Sequence, residues 1–224
     1  MKHSNYITVL ALAASVSLAL LAGCAKTTVS ARSDTDMDQR VLDIVQASFR
    51  DQGNAKLDRL AQDEANRACA AAEVSGKALD EAQAKVIEES SLKTIQWPSD
   101  GKFLGDWKEG EKIAQSGRGL TWTDAAGEAN GGNCYNCHQI SKEEISFGTL
   151  GPSLFNYGKM RGVVNPDAPE SRPIVEYTWG KLWNARAYNA CSQMPRVGHK
   201  GILNEQQIKH VMALLLDPKS PVNQ

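Results

Sequence analysis

Net charge is nearly absent from this 224-residue chain: 25 lysines and arginines stand against 26 aspartates and glutamates, a formal charge of −1. Without a basic surplus there is no electrostatic reason to expect nucleic acid as a partner. Long apolar runs are also missing. The one candidate, Ile7 to Leu21, is too short for a confident membrane span, and with Lys2 ahead of it the segment reads as an export signal. No internal repeat and no convincing strand-like alternation is found, which leaves an all-α chain. The single C-x-x-C, Cys134-Tyr135-Asn136-Cys137, lacks the company that other uses of this motif require. There is no second C-x-x-C or H-x₃₋₅-H to complete a zinc site, and no βαβ context for a thioredoxin-like centre.

What the motif does have is His138 directly after it. C-x-x-C-H is the attachment signature of c-type haem: two thiols at this spacing add to the two vinyl groups of one porphyrin, and the histidine sits under the iron as proximal ligand. The expected cofactor is therefore one covalently bound haem c, through Cys134, Cys137 and His138. A carbonyl in the loop Gly148-Thr149-Leu150-Gly151-Pro152-Ser153-Leu154, at Pro152, can accept the Nδ1–H of His138 and fix the ring.

The export signal ends in Leu21-Ala22-Gly23-Cys24, which resembles a bacterial lipobox. Cleavage before Cys24 would leave that cysteine to carry the lipid, with ordinary signal cleavage as the alternative. Either way the chain is exported. Of five cysteines, Cys24 then goes to lipid and Cys134 and Cys137 to haem, which leaves Cys69 and Cys191. In an oxidising compartment these two are expected to pair, the alternative being two separate buried thiols.

Residues 25–34 read as a polar tether. Helical spacing is seen from Asp36 (Val41, Ile44, Val45, Phe49) up to Gly53, again from Lys56 to Ala72 (Leu57, Leu60, Ala61, Ala65, Ala68), and more weakly from Lys77 to Glu89. Trp97-Pro98-Ser99-Asp100-Gly101 is rich in turn formers and marks the best boundary. The organisation is thus a signal peptide at 1–23, a tether and helical extension at 24–100, and a haem domain at 101–224. In the last part a short helix is expected from Asp106 to Gln115. After a Gly-rich approach to Cys134, the clearest element is a helix N-capped by Asn204. There Gln207 completes a capping box, Leu203 and Ile208 occupy the staple positions, and Ile208, Val211, Met212 and Leu215 form the buried stripe before Pro218.

The sixth iron position has several candidates. Met212 lies on the apolar stripe and reads as core, and His210 lies off it and reads as solvated. Met160 is in a polar loop. Met194 is favoured, because Pro195 stiffens its loop and it stands just before the closing helix. His199 is the competitor, and it would give a bis-His site of lower potential. Trp179, Trp183 and Tyr157 could wall a haem pocket or be ordinary core.

Four stretches together resemble the SoxX cytochromes, the monohaem subunit of the SoxAX complex of sulfur oxidation. They are Gly132-Asn133-Cys134-Tyr135-Asn136-Cys137-His138; Gly148 to Leu154 with Tyr157-Gly158; Cys191-Ser192-Gln193-Met194-Pro195-Arg196-Val197-Gly198-His199 running on to Gln207; and Val211 to Pro218 with Ser220-Pro221-Val222-Asn223. The resemblance implies a class I cytochrome c fold with His138 and Met194 as axial ligands. It also implies a periplasmic heterodimer with a SoxA subunit, where thiosulfate is joined oxidatively to a cysteine of the SoxYZ carrier. This chain would collect the released electrons and pass them to a soluble cytochrome c, a relay rather than a catalyst. Membrane association would come only through the lipid at Cys24. The alternative is a free-standing, membrane-anchored monohaem carrier in another redox chain.

Overall fold

The computed structural model describes residues 34–224; the export signal, Cys24 and the tether up to residue 33 lie outside the described residues. The described chain is helical, with α1 Asp34–Ser48, α2 Glu64–Ser75, α3 Glu81–Leu92, α4 Trp107–Gln115, α5 Tyr157–Met160, α6 Arg172–Trp183 and α7 Glu205–Leu216. Its one strand-like pairing is an isolated bridge between Gln52 and Ala55. The chain divides into two compact units at Phe49 and Arg50. In the first, α1 ends at Ser48, short of the Gly53 stop, and Val41, Leu42 and Ile44 are exposed.

The second unit runs from Arg50 to Gln224, so the turn at 98–101 lies inside it. Its centre is the crossing of α4 and α7. Gly110 allows the close approach, since a Cβ there would stand 2.2 Å from the His210 carbonyl oxygen. Asp106 N-caps α4 through Lys108 N, and His210 Nδ1 accepts from Asp106 N at 2.8 Å. His210 is therefore not the solvated side chain that its place off the stripe predicts: its ring fixes the start of α4 against α7. The α7 capping box forms as read, Asn204 accepting from Gln207 N and Gln207 accepting from Asn204 N. Burial extends well beyond the expected stripe, to Ala213, Leu214 and Leu216. With neighbours on almost every side, α7 is the axis of the core.

Two elements differ from the sequence expectation. The single helix expected over Lys56–Ala72 is broken. Leu57–Leu60 is a 3-10 turn with both leucines exposed, and α2 begins only after Asp63, whose side chain accepts from Asn66 N. Asp is a strong N-cap and a poor interior residue, so the helix restarts where its carboxylate has a backbone donor. α3 likewise starts late, after Asp80, whose carboxylate accepts from Ala82 N and Gln83 N. The other difference is α6, which the spacing did not announce. Trp179 is fully buried within it, edge-on to Phe103 at 5.5 Å and stacked on Trp183 at 6.1 Å.

The part of the extension that lies in this unit is bound to its core. Trp179 Nε1 donates to the Gln96 carbonyl at 2.8 Å, Trp183 Nε1 to the Thr94 carbonyl at 2.9 Å, and Asn184 Nδ2 to Thr94 Oγ1 at 2.9 Å. Tyr157 is buried as well, with its hydroxyl 2.9 Å from Thr178 Oγ1. These three aromatics are structural core with satisfied polar ends.

Candidate functional site

The motif segment hangs from the end of α4. Gly132 N donates to Ile113 O at 2.8 Å and Asn133 N to Ser116 O at 2.9 Å. Gly131 has its backbone against Ser116, where a Cβ would stand 1.9 Å from the carbonyl oxygen, so this glycine serves a chain-to-chain contact. Asn133 takes a left-handed conformation (φ 50°), which Asn tolerates better than most residues, and turns the chain into the short 3-10 helix Cys134–Asn136. Cys137 N and His138 N then both donate to the Cys134 carbonyl, at 3.1 and 3.0 Å.

A second loop runs alongside. Gly148 N donates to Tyr135 O at 2.7 Å, Gly151 N to Cys137 O at 2.8 Å and Leu154 N to Gln139 O at 2.7 Å. Its two glycines permit the contact: a Cβ on Gly148 would lie 1.8 Å from Asn136 O, and one on Gly151 would lie 2.1 Å from His138 Cε1. The ladder delivers the Pro152 carbonyl oxygen to 2.7 Å from His138 Nδ1. A carbonyl only accepts, so Nδ1 carries the proton and the Nε2 lone pair remains for another partner. We predict that Gly151→Ala, by displacing the ring, lowers haem incorporation about tenfold; haem absorbance per polypeptide measures it, and wild-type loading would contradict it.

Cys134 and Cys137 are partly buried and unpaired, not bridged to each other. Burial pushes the Cys134 thiol up to about 12, the reverse of the depressed pKa that a thioredoxin-type nucleophile needs. Among the described residues no cluster of three His, Cys, Asp or Glu side chains converges as a metal site. Tyr135 is buried and raised to about 12, by burial first and then by Glu111. Its hydroxyl donates to Glu111 Oε1 at 2.9 Å and lies 3.2 Å from Ser141 Oγ.

The side chains that the sequence offers as a distal ligand for a haem separate by environment. Met160 is 78% exposed and Met212 is fully buried in α7. Met194 lies between these extremes, partly buried and packed against the core cluster. His199 is exposed; its partial desolvation and then the Arg196 charge lower its pKa. The loop bearing Met194 is anchored downstream by His199 N to Trp183 O at 3.0 Å and by Ile202 N and Leu203 N to Val197 O. Asn130 Nδ2 donates to Ile202 O at 2.9 Å, and Gln207 Nε2 donates to Asn130 O at 2.7 Å. The approach to Cys134 is thereby tied to the segment that follows Met194.

Cys69 and Cys191 form a disulfide, with Cα atoms 5.5 Å apart. Beside it is a cluster that sequence reading missed. The Asp63 carboxylate takes Arg186 Nη1 on one oxygen at 2.9 Å and Arg196 Nη2 on the other at 2.7 Å. Burial pushes the Asp63 pKa up, but the Asn66 amide and the two guanidinium groups outweigh it and hold the carboxyl well below its usual range. The available signal was Asp63 as a helix N-cap; its arginine partners, more than a hundred residues away, have no local signature.

No protein-family model matches the chain. An uncharacterized lipoprotein of Aquifex aeolicus (strain VF5) is 33% identical over 165 residues, which are 73% of this chain and 73% of that protein. The chain belongs to the same family as this lipoprotein. Among the described residues no helix is long and apolar enough to cross a membrane.

Proposed function

We propose that this protein is an exported c-type cytochrome, lipid-anchored at Cys24, that serves as the electron-relay subunit of a SoxAX-type complex. The observation that carries the reading is the His138 arrangement: directly after C-x-x-C, the ring is oriented by the Pro152 carbonyl with Nε2 left free. The residues fit a covalent haem. Two unpaired thiols stand at the attachment spacing, Gly151 crowds the His138 ring, and half-buried Met194 offers a thioether at the core surface. The haem would supply one-electron redox chemistry. The chain's part is to attach it through Cys134 and Cys137, to ligate iron through His138 and Met194, and to fix the proximal imidazole through Pro152. A thioether ligand favours ferrous iron and raises the potential above that of a bis-His site, which suits a collector of electrons released by S–S bond formation. His138 and Met194 would together hold the iron, so this chain would offer substrate no place there, and the thiosulfate chemistry would fall to a SoxA partner acting on a SoxYZ cysteine. A soluble cytochrome c would take the electrons onward. The location is the periplasm, and the lipoprotein relative supports the anchor.

A lipid anchor is equally what a second reading requires, a free-standing, membrane-anchored monohaem carrier. Native isolation from thiosulfate-grown cells separates the two. A stoichiometric second c-type subunit and thiosulfate-dependent haem reduction are expected for the relay subunit, whereas a lone chain released only by detergent would replace that reading with the carrier. We further predict that Met194→Ala keeps its covalent haem but loses the six-coordinate, methionine-ligated spectrum. An unchanged spectrum would sink the ligand assignment.

A further inference from the structure

The ties from the extension to the Met194 loop are not scattered. Cys191, three residues before Met194, is bridged to Cys69 in α2. Arg196, two residues after Met194, is paired with Asp63 at the start of the same helix. One oxygen of Asp63 holds Arg196 and the other holds Arg186, and the two arginine side chains are 14% and 10% exposed. Arg186 also reaches Asn66 in the first turn of α2. Glu88 of α3 accepts from Ala190 N at 3.1 Å, just before the disulfide. A single helix thus grips the loop on both sides of one methionine, covalently before it and by charge-assisted hydrogen bonds after it. Surface ion pairs contribute little, but a carboxylate shared by two largely buried guanidinium groups fixes geometry, because loss of the carboxylate leaves two like charges facing each other.

We infer that Asp63 is a positioning residue for Met194, holding the loop through Arg186 and Arg196 so that the thioether is presented at a fixed place. The inference rests on the reading of Met194 as the distal iron ligand. It assigns to the amino-terminal extension a role in ligand presentation as well as in packing. Loosening the clamp should let the loop swing away more often, so that an external ligand captures the iron faster.

The test uses the full-length haem-loaded protein in its ferric state, with imidazole as the competing ligand. Asp63→Asn, which keeps shape and removes charge, is expected to accelerate imidazole capture about tenfold and to weaken the methionine-to-iron absorption band, with covalent haem content unchanged. Asp63→Glu is expected to restore most of the wild-type rate. Asp100→Asn removes the carboxylate paired with buried Lys209 elsewhere in the core; it serves as a control for general loss of stability and should leave the capture rate unchanged. Should Asp63→Asn fail to accumulate, Arg196→Gln cuts one arm of the same cluster and carries the same expectation. Wild-type capture kinetics in the Asp63 or Arg196 variants would overturn the inference while leaving the ligand assignment intact. Equal acceleration by Asp100→Asn would also overturn it. A wild-type protein with no methionine band, or one whose band survives Met194→Ala, would remove the reading beneath it and the inference together.

Discussion

Replacing both Cys134 and Cys137 by alanine is expected to abolish covalent haem. In a host equipped for cytochrome c maturation, the wild-type chain should stain for haem on a denaturing gel and the double variant should give no band. Each single variant should keep one thioether and a weaker band. The expectation follows from chemistry at the motif: both thiols are unpaired, one turn apart, and followed by a histidine whose other nitrogen is already engaged. His138 alone could at most hold a haem reversibly, and denaturation would release it. The consequence should reach beyond staining. The two thiols are half-buried, and the packing and iron ligation of an attached haem would exist only in the folded chain, which adds to its stability. The double variant should therefore also melt at lower temperature. Covalent haem in the double variant would place the attachment elsewhere, and an unstained wild-type chain would remove the cytochrome reading itself.

Removal of the Cys69–Cys191 bridge, by the paired substitution Cys69→Ala/Cys191→Ala, is expected to cost roughly 4 kcal/mol of stability. The two cysteines are 122 residues apart, and a loop of that length loses much conformational freedom when it is closed in the unfolded chain. Small domains have only about 5–15 kcal/mol in total, so the variant should unfold at a much lower urea concentration, with an increased slope because its unfolded chain is more expanded. Both proteins should be compared haem-loaded. A loss below about 1 kcal/mol would mean that the bridge does not restrict the unfolded ensemble as the chain-entropy account requires.

The carboxyl-terminal elements were largely legible because their signals are local. Asn204, Gln207, Leu203 and Ile208 fall within six residues, and the capping box and helix they announce are present. Asp106–Gln115 was readable for the same reason. α6 was not. Its residues are buried around much of its circumference, so polar positions do not alternate with apolar ones, and Pro173 in its first turn can be read as a break as easily as a helix start. The extension failed differently. Its expected leucine stripe at Leu57 and Leu60 is exposed, and what fastens it is a disulfide, an aspartate between two arginines and two indole N–H groups, all reaching across long stretches of chain. Spacing rules cannot see such partners. At the candidate site the thiols, His138 and the Pro152 loop were legible from sequence order, whereas the crowding of Gly151 on the imidazole and the Asp63 cluster required coordinates.

The indole bonds from Trp179 and Trp183 to the backbone carbonyls of Gln96 and Thr94 bear on how such a chain can be inherited. A gene segment beginning at Lys102 would code for both tryptophans and Asn184 but for none of their acceptors, leaving three donors of the core without their partners. Asn54 and Arg59 also donate to backbone carbonyls at 119–125, so recombination between relatives should be tolerated upstream of Arg50, where the second unit begins, and fail at the Pro98–Gly101 turn, although that turn looks like a natural seam. The heritable module is the carboxyl-terminal part together with its extension, and grafts, fusions and chimaeras of this protein would have to carry both.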